Sequence, residues 1–241
     1  MSALGHYLEE EGVASVAIAL IRPQAENTRP PRALWVPFEL GRPIGPPSDA
    51  AFQKRVILAA LALLAARPQA SLIVDFPEDD PRETPDPEWR SPIAPAATAG
   101  GDGAALAEAL VAELHALAPA YAQSCTRRAR STVGLSGLPP AECGDYVAAW
   151  LSGARPASPV ADMSPALALR FAIDDLKAFA LEAAIASGSP SSTQLGDWLW
   201  NETVLGAALQ LLRRDCLAGD DERLKAVAAF FVPALRIGPV G

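Results

Sequence analysis

The stretch that decides the fold is residues 31–55, PRALWVPFELGRPIGPPSDAAFQKR. Its first part, ALWVPF at 33–38, is apolar and rich in residues that favour strands, so it predicts a buried β-strand. Ser48 and Asp49 are N-cap residues that predict a helix over 52–67. A strand, a glycine-containing loop and a helix in this order are typical of a parallel α/β unit.

Two further segments predict strands of the same sheet. VASVAIALI at 13–21 is apolar throughout, which is typical of a strand buried on both faces, and it follows a predicted helix that ends at Gly12. SLIVDF at 71–76 predicts the third strand. We therefore predict a small parallel α/β unit, one half of a Rossmann-like fold, over residues 1–76.

The composition changes after residue 76. Residues 77–103 alternate prolines with acidic and small residues, which predicts an extended linker. Residues 104–241 show leucines at helical spacing and predict a mostly helical bundle, so that the whole chain is α/β plus α. The predicted helices of this region are 104–123, 139–151, 165–186, 193–217 and 221–232.

The composition excludes some classes of protein. With 241 residues, of which 50% are hydrophobic, the chain is long enough to bury a core without disulfides. Its net charge of −8 argues against nucleic-acid binding, because neutralising phosphates requires a basic face. The short basic run from Arg127 to Arg130 is more typical of a solvated helix end.

The N-terminal sequence and the cysteines indicate a compartment. MSALGHYLEEEG has no basic segment followed by an apolar one, and no apolar run approaches the roughly 20 residues of a membrane span. The three cysteines are widely spaced, which suits reduced thiols. We expect a cytoplasmic protein that contacts neither membrane nor nucleic acid, with homo-oligomerisation left open.

The loop FELGRPIG at 38–45 is the first candidate site. It lies at the carboxyl end of a predicted parallel strand, where ligands bind in such sheets. Gly41 and Gly45 permit close backbone approach, the next helix offers free N–H groups to an anion, and Arg42 can hold a carboxylate or phosphate. Alternatively, the glycines only shape the loop and Arg42 pairs with Glu39.

Glu202 is the second candidate. It occupies one position of an otherwise apolar stripe on the predicted helix 193–217, where an unpaired carboxylate is costly. Asp175 and Glu182 share one face of the preceding helix, near the possible countercharges Arg170 and Lys177. A pocket lined by Trp198, Trp200, Glu202, Asp175 and Glu182 suits acid–base catalysis, and a structural salt bridge is the plainer alternative.

The sequence gives little support for a metal or a cofactor. His6 and His115 are the only histidines, and neither lies three or four residues from a glutamate in an E-x-x-H pattern. No phosphate-binding or nucleophile motif occurs, and Ser136 in GLSG has no nearby histidine in sequence. We expect no metal and no cofactor.

The N-terminal residues resemble a known family. HYLEEEGVASVAIALI at 6–21, followed by RPPRALWVPFELGRPIGPPSDAAFQKRVILAALALL, resembles the glycine/sarcosine/betaine/proline reductase selenoprotein B family. In that family a P-R-x-x-x-x-x-F-P-L-G-x-P-x-G-x-P segment precedes a helix. The resemblance covers residues 4–66 and is most specific over 38–47. The helical half, with DDLKAFALEAA and DWLWNET, resembles uncharacterised bacterial relatives.

The resemblance implies a reductase-related protein that binds a small anionic or amine substrate at Glu39, Gly41, Arg42 and Gly45. In the family, the redox selenocysteine or cysteine lies in a short motif at the start of the helix that here begins at Met1. None of the three cysteines of this chain replaces it. We expect either a truncated start, or a redox-silent relative or subunit beside a partner chain that carries the thiol or selenol.

A non-enzymatic protein is the alternative. In this hypothesis the chain is an accessory or assembly subunit, and its helical half binds a partner protein. Trp198 and Trp200 would then be exposed, because aromatic side chains are the usual anchors of an interface.

Overall fold

The structure, a computed structural model, describes residues 2–67, 70–95 and 102–233. The chain divides into two compact units, Met1–Thr84 and Pro85–Gly241. The first is called the α/β unit below and the second the helical unit. This division supports the coarse prediction of a small α/β unit followed by a helical region.

The α/β unit contains a three-stranded sheet. Strands β1 (Ala17–Ala19), β2 (Arg32–Trp35) and β3 (Leu72–Asp75) are all parallel and lie in the order β1-β2-β3. Its helices are α1 (Ser2–Glu10), α2 (Arg22–Thr28) and α3 (Ala50–Ala62), with short 3₁₀ turns at Leu63–Ala65 and Pro81–Glu83. The predicted parallel sheet is confirmed, and Asp49 caps α3 by accepting the N–H of Phe52 at 2.9 Å.

The segment between β1 and β2 differs from the prediction. The apolar run 13–21 forms a strand of only three residues, and Val13 and Ile21 at its ends are exposed. The polar stretch that follows is the helix α2, which has a proline in its first turn and ends at Arg29 in the left-handed conformation. A helix of seven residues is too short to show a hydrophobic period, so the sequence pattern could not reveal it.

Three phenylalanines form the centre of the α/β core. Phe38 follows β2, Phe76 follows β3 and Phe52 lies in the first turn of α3, and their ring centroids are 5.5 to 6.0 Å apart. Edge-on and tilted contacts of this kind are the favoured geometry for aromatic rings. The cluster therefore fixes the start of α3 against the carboxyl ends of β2 and β3.

The helical unit contains six α-helices among the described residues. They are α4 (Gly103–Arg128), α5 (Pro140–Leu151), α6 (Pro165–Ala184), α7 (Ser192–Asn201), α8 (Val204–Ala218) and α9 (Glu222–Ala228). The leucine stripe of α4 is fully buried, as its spacing predicts: Leu106, Leu110, Leu114 and Leu117. Most boundaries agree with the predicted ones to within a few residues.

The predicted continuous helix 193–217 is wrong, because the chain breaks between α7 and α8. The hydroxyl of Thr203 accepts the N–H of Gly206 at 2.9 Å and starts a new helix. A Cβ on Gly206 would lie 2.1 Å from the carbonyl oxygen of Leu199, so only glycine permits this close turn. The two helices keep the same apolar phase, which is why the spacing alone suggests one helix.

Part of the proline-rich segment packs into the helical unit. The side chain of Gln194 bonds both the N–H and the carbonyl of Asp86, at 2.7 and 3.0 Å. The indole N–H of Trp89 donates to the carbonyl of Ala184 at 2.9 Å. The segment predicted as a linker over 77–103 is thus ordered helical-unit structure from residue 85 to at least residue 95.

Helix α4 also has a property relevant to membranes. Its 26 residues are long and apolar enough to cross a bilayer by length and composition. Core helices pass the same test, and α4 contributes four leucines to the buried core of its unit. The expected absence of membrane contact and the cytoplasmic location stay predictions.

Candidate functional site

The loop after β2 has the backbone conformation that its glycines predict. Gly41 and Gly45 have φ values of +90° and +87°, in the left-handed region. The N–H of Arg42 donates to the carbonyl of Glu39, and the N–H of Gly45 donates to the carbonyl of Arg42, both at 3.0 Å. Two successive turns therefore place Arg42 beside the carboxyl ends of β2 and β3.

Arg42 forms ion pairs with two carboxylates that follow β3. Its guanidinium Nη1 lies 3.5 Å from Asp80 Oδ2 and 3.9 Å from Glu83 Oε1. The predicted alternative, a salt bridge to Glu39, is wrong, since Glu39 meets Arg42 only through its backbone carbonyl. Spacing could not identify these partners, because Asp80 and Glu83 lie on the loop after the next strand.

The cluster of Arg42, Asp80 and Glu83 carries one positive and two negative charges. The side chain of Asp80 is 0% exposed, that of Glu83 22% and that of Arg42 35%, so Arg42 is the most exposed of the three. The nearby N-terminus of α3 is capped by the Asp49 carboxylate. A bare anion would meet a region of excess negative charge, which disfavours it.

Glu83 also lacks hydrogen-bond donors. Both of its carboxylate oxygens are shielded from water, and neither accepts a hydrogen bond from the residues that the structure describes. A shielded carboxylate is costly unless a donor or a cation meets it, and Arg42 at 3.9 Å supplies an ion pair but no hydrogen bond. The arrangement therefore favours a ligand with a positively charged donor group.

The second candidate site is not assembled. Glu202 lies at the C-terminal end of α7, partly exposed and outside the buried stripe, because the helix breaks there. Trp198 is fully buried and donates its indole N–H to Ser91 Oγ at 2.8 Å, and Trp200 is buried as well. The prediction that these residues form a pocket with Asp175 and Glu182 is therefore wrong. Trp198 binds Ser91, Asp175 binds the turn at Gly134, and Glu182 binds Thr132.

Asp175 is a structural acceptor. Its carboxylate accepts the N–H groups of Gly134, Leu135 and Ser136 at 2.8 to 2.9 Å, and also the Ser136 hydroxyl. Burial works to raise the pKa of this carboxyl, but the hydrogen bonds from Ser136 and its neighbours outweigh it, so the pKa lies below its ordinary value. Asp175 thus fixes the turn between α4 and α5.

Glu182 has a similar role two turns further along α6. It accepts the N–H and the hydroxyl of Thr132, both at 2.7 Å. Burial acts to raise its pKa, but the hydrogen bonds from Thr132 lower it below the ordinary value. The expected countercharges are instead bound to Asp174, which lies 2.8 Å from Lys177 and 3.7 Å from Arg170.

The sequence analysis missed the carboxylate of Glu113. This side chain of α4 is buried and accepts the N–H groups of Val204 and Leu205 at 2.6 and 2.9 Å. Desolvation raises the pKa of Glu113, although both hydrogen bonds act against it. Its position within the leucine stripe of α4 is the same signal that directed attention to Glu202, so a test for charges in apolar stripes could have found it.

The thiols are poor nucleophiles where they are buried. Burial raises the pKa of Cys143 to about 11, and its sulfur lies 3.3 Å from the hydroxyl of Ser136. Desolvation also raises the pKa of Cys216, while Cys125 is partly exposed. No group of three or more potential metal-ligating side chains occurs among the described residues.

Two neighbouring clefts follow the open side of β1. The larger, of about 470 Å³, is lined by β1, α2, Ala3 and Leu40, and the smaller, of about 70 Å³, by Leu4, Leu8 and the chain around Ser15.

Comparison with known protein families, with characterised proteins and with solved structures found no match to this chain. A functional assignment therefore rests on the residues described above.

Proposed function

We propose that this chain is a reductase-related protein of the glycine/betaine/proline reductase selenoprotein B type, whose α/β unit binds a small molecule with both an amine and a carboxylate. The observation that carries the proposal is the position of Arg42 between Asp80 and Glu83 at the carboxyl ends of parallel strands. The resemblance of residues 4–66 to that family is its second support.

The charges of the cluster suit such a ligand. The partly exposed side chain of Arg42 has paired guanidinium donors that suit a carboxylate. The cluster has two carboxylates and one guanidinium, and an ammonium or protonated secondary amine balances the excess negative charge. A molecule that carries both groups balances the cluster better than a simple anion does, and this narrows the expected anionic or amine substrate to an amino-acid-like one.

The Rossmann-like assignment is part of the same proposal. Three parallel strands in the order β1-β2-β3 are what one half of a doubly wound sheet contains. The loops that follow the carboxyl ends of β2 and β3 then supply Arg42 and the two carboxylates of Asp80 and Glu83.

We further propose that a partner chain supplies the redox chemistry. With a pKa of about 11, the Cys143 thiol is almost fully protonated near neutral pH, and Cys216 is buried with a raised pKa. Neither suits the role of a redox nucleophile. This supports a redox-silent relative or subunit beside a chain that carries the thiol or selenol.

The alternative of an accessory subunit that docks through its helical half has less support. Trp198 and Trp200, the anchors expected for it, are buried inside their own unit. Trp198 donates to Ser91, and both side chains pack in the helical core, which leaves little of their surface to a partner.

Isothermal titration of the purified chain with glycine, sarcosine, betaine and proline tests the proposal. We expect saturable binding of at least one of them, and a loss of about tenfold or more in Arg42→Ala, because a charge-assisted pair is removed. Arg55→Ala is the matched control, since Arg55 is also an exposed arginine of this unit, paired with Glu78 at 2.7 Å. Absent binding of all four compounds, or equal affinity in Arg42→Ala, overturns the proposal.

A further inference from the structure

Strand β1 leaves one edge of the sheet open among the described residues. The carbonyl of Ala19 accepts the N–H of Val36 at 2.9 Å, which shows that Ala19 faces β2. Successive residues of a strand turn their N–H and C=O groups to alternate sides, so Ile18 directs both of its groups away from β2. They face the cleft of about 470 Å³, which Ile18 helps to line.

The cleft runs along this open edge. The two clefts beside β1 share Ala17 and Pro30, and together they follow the chain from Ser15 to Ile21. Seven residues of extended chain span about 20 Å at the usual rise of roughly 3.3 Å per residue. We call this continuous groove the edge cleft.

The larger part of the edge cleft is uncharged, whereas Arg32 lines the smaller part. None of the residues that line its larger part carries a charge, and Leu40 at its rim is 70% exposed. The strand itself, Ala17–Ala19, contains no lysine, proline or acidic residue, the groups with which proteins commonly guard an open edge. The opposite edge strand, β3, does end in a charged residue, Asp75.

We propose that the edge cleft binds an extended, uncharged segment of a partner protein, which adds a strand to the sheet beside β1. The outward N–H and C=O of Ile18 are complementary to the backbone of another extended chain, and the uncharged walls of the cleft provide sites for its side chains. This surface belongs to the α/β unit and is separate from the helical half, where partner docking was expected.

A peptide fits the cleft better than a second copy of the chain. The edge lies between residues of α1 and α2, so the backbone of β1 is recessed. Paired strands lie about 4.8 Å apart. Two recessed edges would bring their flanking helices together before reaching that spacing, whereas a peptide without flanking helices can enter.

The test uses a capped, fluorescently labelled peptide of alternating valine and threonine without charged residues, and a second form N-methylated on alternate amides. We expect saturable binding of the first by fluorescence anisotropy, and binding about tenfold weaker for the methylated form, because it has lost donors. Hydrogen exchange measured by NMR should slow at the Ile18 amide and stay unchanged at Ala19, which already faces β2.

Two variants locate the site. Leu40→Asp places a charge at the rim of the cleft and should weaken peptide binding, and the exposure of Leu40 keeps the effect on folding small. Leu58→Asp is the matched control, because Leu58 is 54% exposed on α3 and does not line the cleft. We expect it to bind the peptide as the unmodified chain does.

Three results would overturn the proposal. The first is no binding of either peptide with unchanged exchange at Ile18. The second is equal affinity for the methylated and unmethylated peptides, which would show that the backbone is not recognised. The third is a dimer in sedimentation whose Ile18 amide is protected without peptide, since a second copy would then cover the edge.

Discussion

The carboxylate of Glu113 lies 2.6 Å from the backbone nitrogen of Val204, and so a side chain of α4 caps the N-terminus of α8. The first N–H groups of a helix have no partner within it, and a buried helix start needs an acceptor from elsewhere. Thr203 supplies one through its hydroxyl, and Glu113 supplies two more. The helix break that separates Glu202 from the buried stripe thus depends on Glu113, which lies 91 positions before Val204.

Glu113→Ala should destabilise the helical unit by about 1–3 kcal/mol, because two buried N–H groups lose their acceptor. Urea unfolding followed by tryptophan fluorescence measures this, since four of the five tryptophans lie after residue 85. Glu108→Ala, on the exposed side of the same helix, should change the free energy by less than about 0.5 kcal/mol. A similar loss in both variants would contradict the capping role.

The stability that depends on Glu113 should fall as pH rises. Burial raises its folded pKa above the unfolded value, so its favourable contribution is complete below the unfolded pKa and is lost as pH rises through the folded one. The free energy of unfolding of the wild type minus that of Glu113→Gln should therefore decrease between pH 4 and pH 7. An increase over the same range would show the opposite shift.

Asp175 should give the reverse dependence. Its pKa is lowered in the folded chain, so its contribution is present above the unfolded pKa and is lost as pH falls through the folded one. Asp175→Asn should cost most near pH 7 and progressively less toward pH 2. Denaturation curves of both proteins at several pH values test this, and a cost that is independent of pH would rule it out.

The two glycines of the β2 loop should differ in their tolerance of alanine. Gly41→Ala should destabilise the fold by roughly 1–2 kcal/mol because of its positive φ. No steric cost is added, since no atom lies within 4 Å of the new Cβ. Gly45→Ala should cost about 1–3 kcal/mol more, since its Cβ would lie 2.4 Å from the Phe52 ring. Hydrogen exchange of the β2 amides measures the stability of the α/β unit separately from that of the helical unit. Equal destabilisation by Gly41→Ala and Gly45→Ala would contradict this prediction.

The three thiols should react at very different rates. Ellman's reagent should modify Cys125 quickly in the folded chain, and Cys143 and Cys216 only after unfolding, because both are buried with raised pKa values. In Cys125→Ser the fast phase should disappear. A fast phase that persists in this variant would weaken the proposal that redox chemistry comes from a partner chain.

Periodicity and composition predicted the parts of the fold that depend on local burial. The strands that contain Leu34 and Val74, and the leucine face of α4, carry their signal within a few neighbouring residues. The helix break at Thr203 depends on the close contact between Gly206 and the carbonyl of Leu199. Because the spacing of the apolar residues is the same before and after the break, the sequence pattern does not reveal it.

The site was predicted less completely than the fold. The glycines of the loop were identified, because a positive φ restricts the residue type at that position. The partners of Arg42 were not, since Asp80 and Glu83 reach it only once β2 and β3 are paired. A charge balance formed by loops of two different strands is a tertiary property, and no local pattern encodes it.

The bonds between Asp86 and Gln194 have a practical consequence for dissecting the gene. The composition suggests that the helical region begins at residue 104, but a fragment that starts there would lack the backbone groups of Asp86 that Gln194 binds. It would also lack Trp89, whose ring centroid lies 6.4 Å from that of Trp198. A fragment that begins at Pro85 keeps them. Residues 85–95 of the proline-rich stretch thus belong to the second module, and recombination at Pro85 would keep them with it.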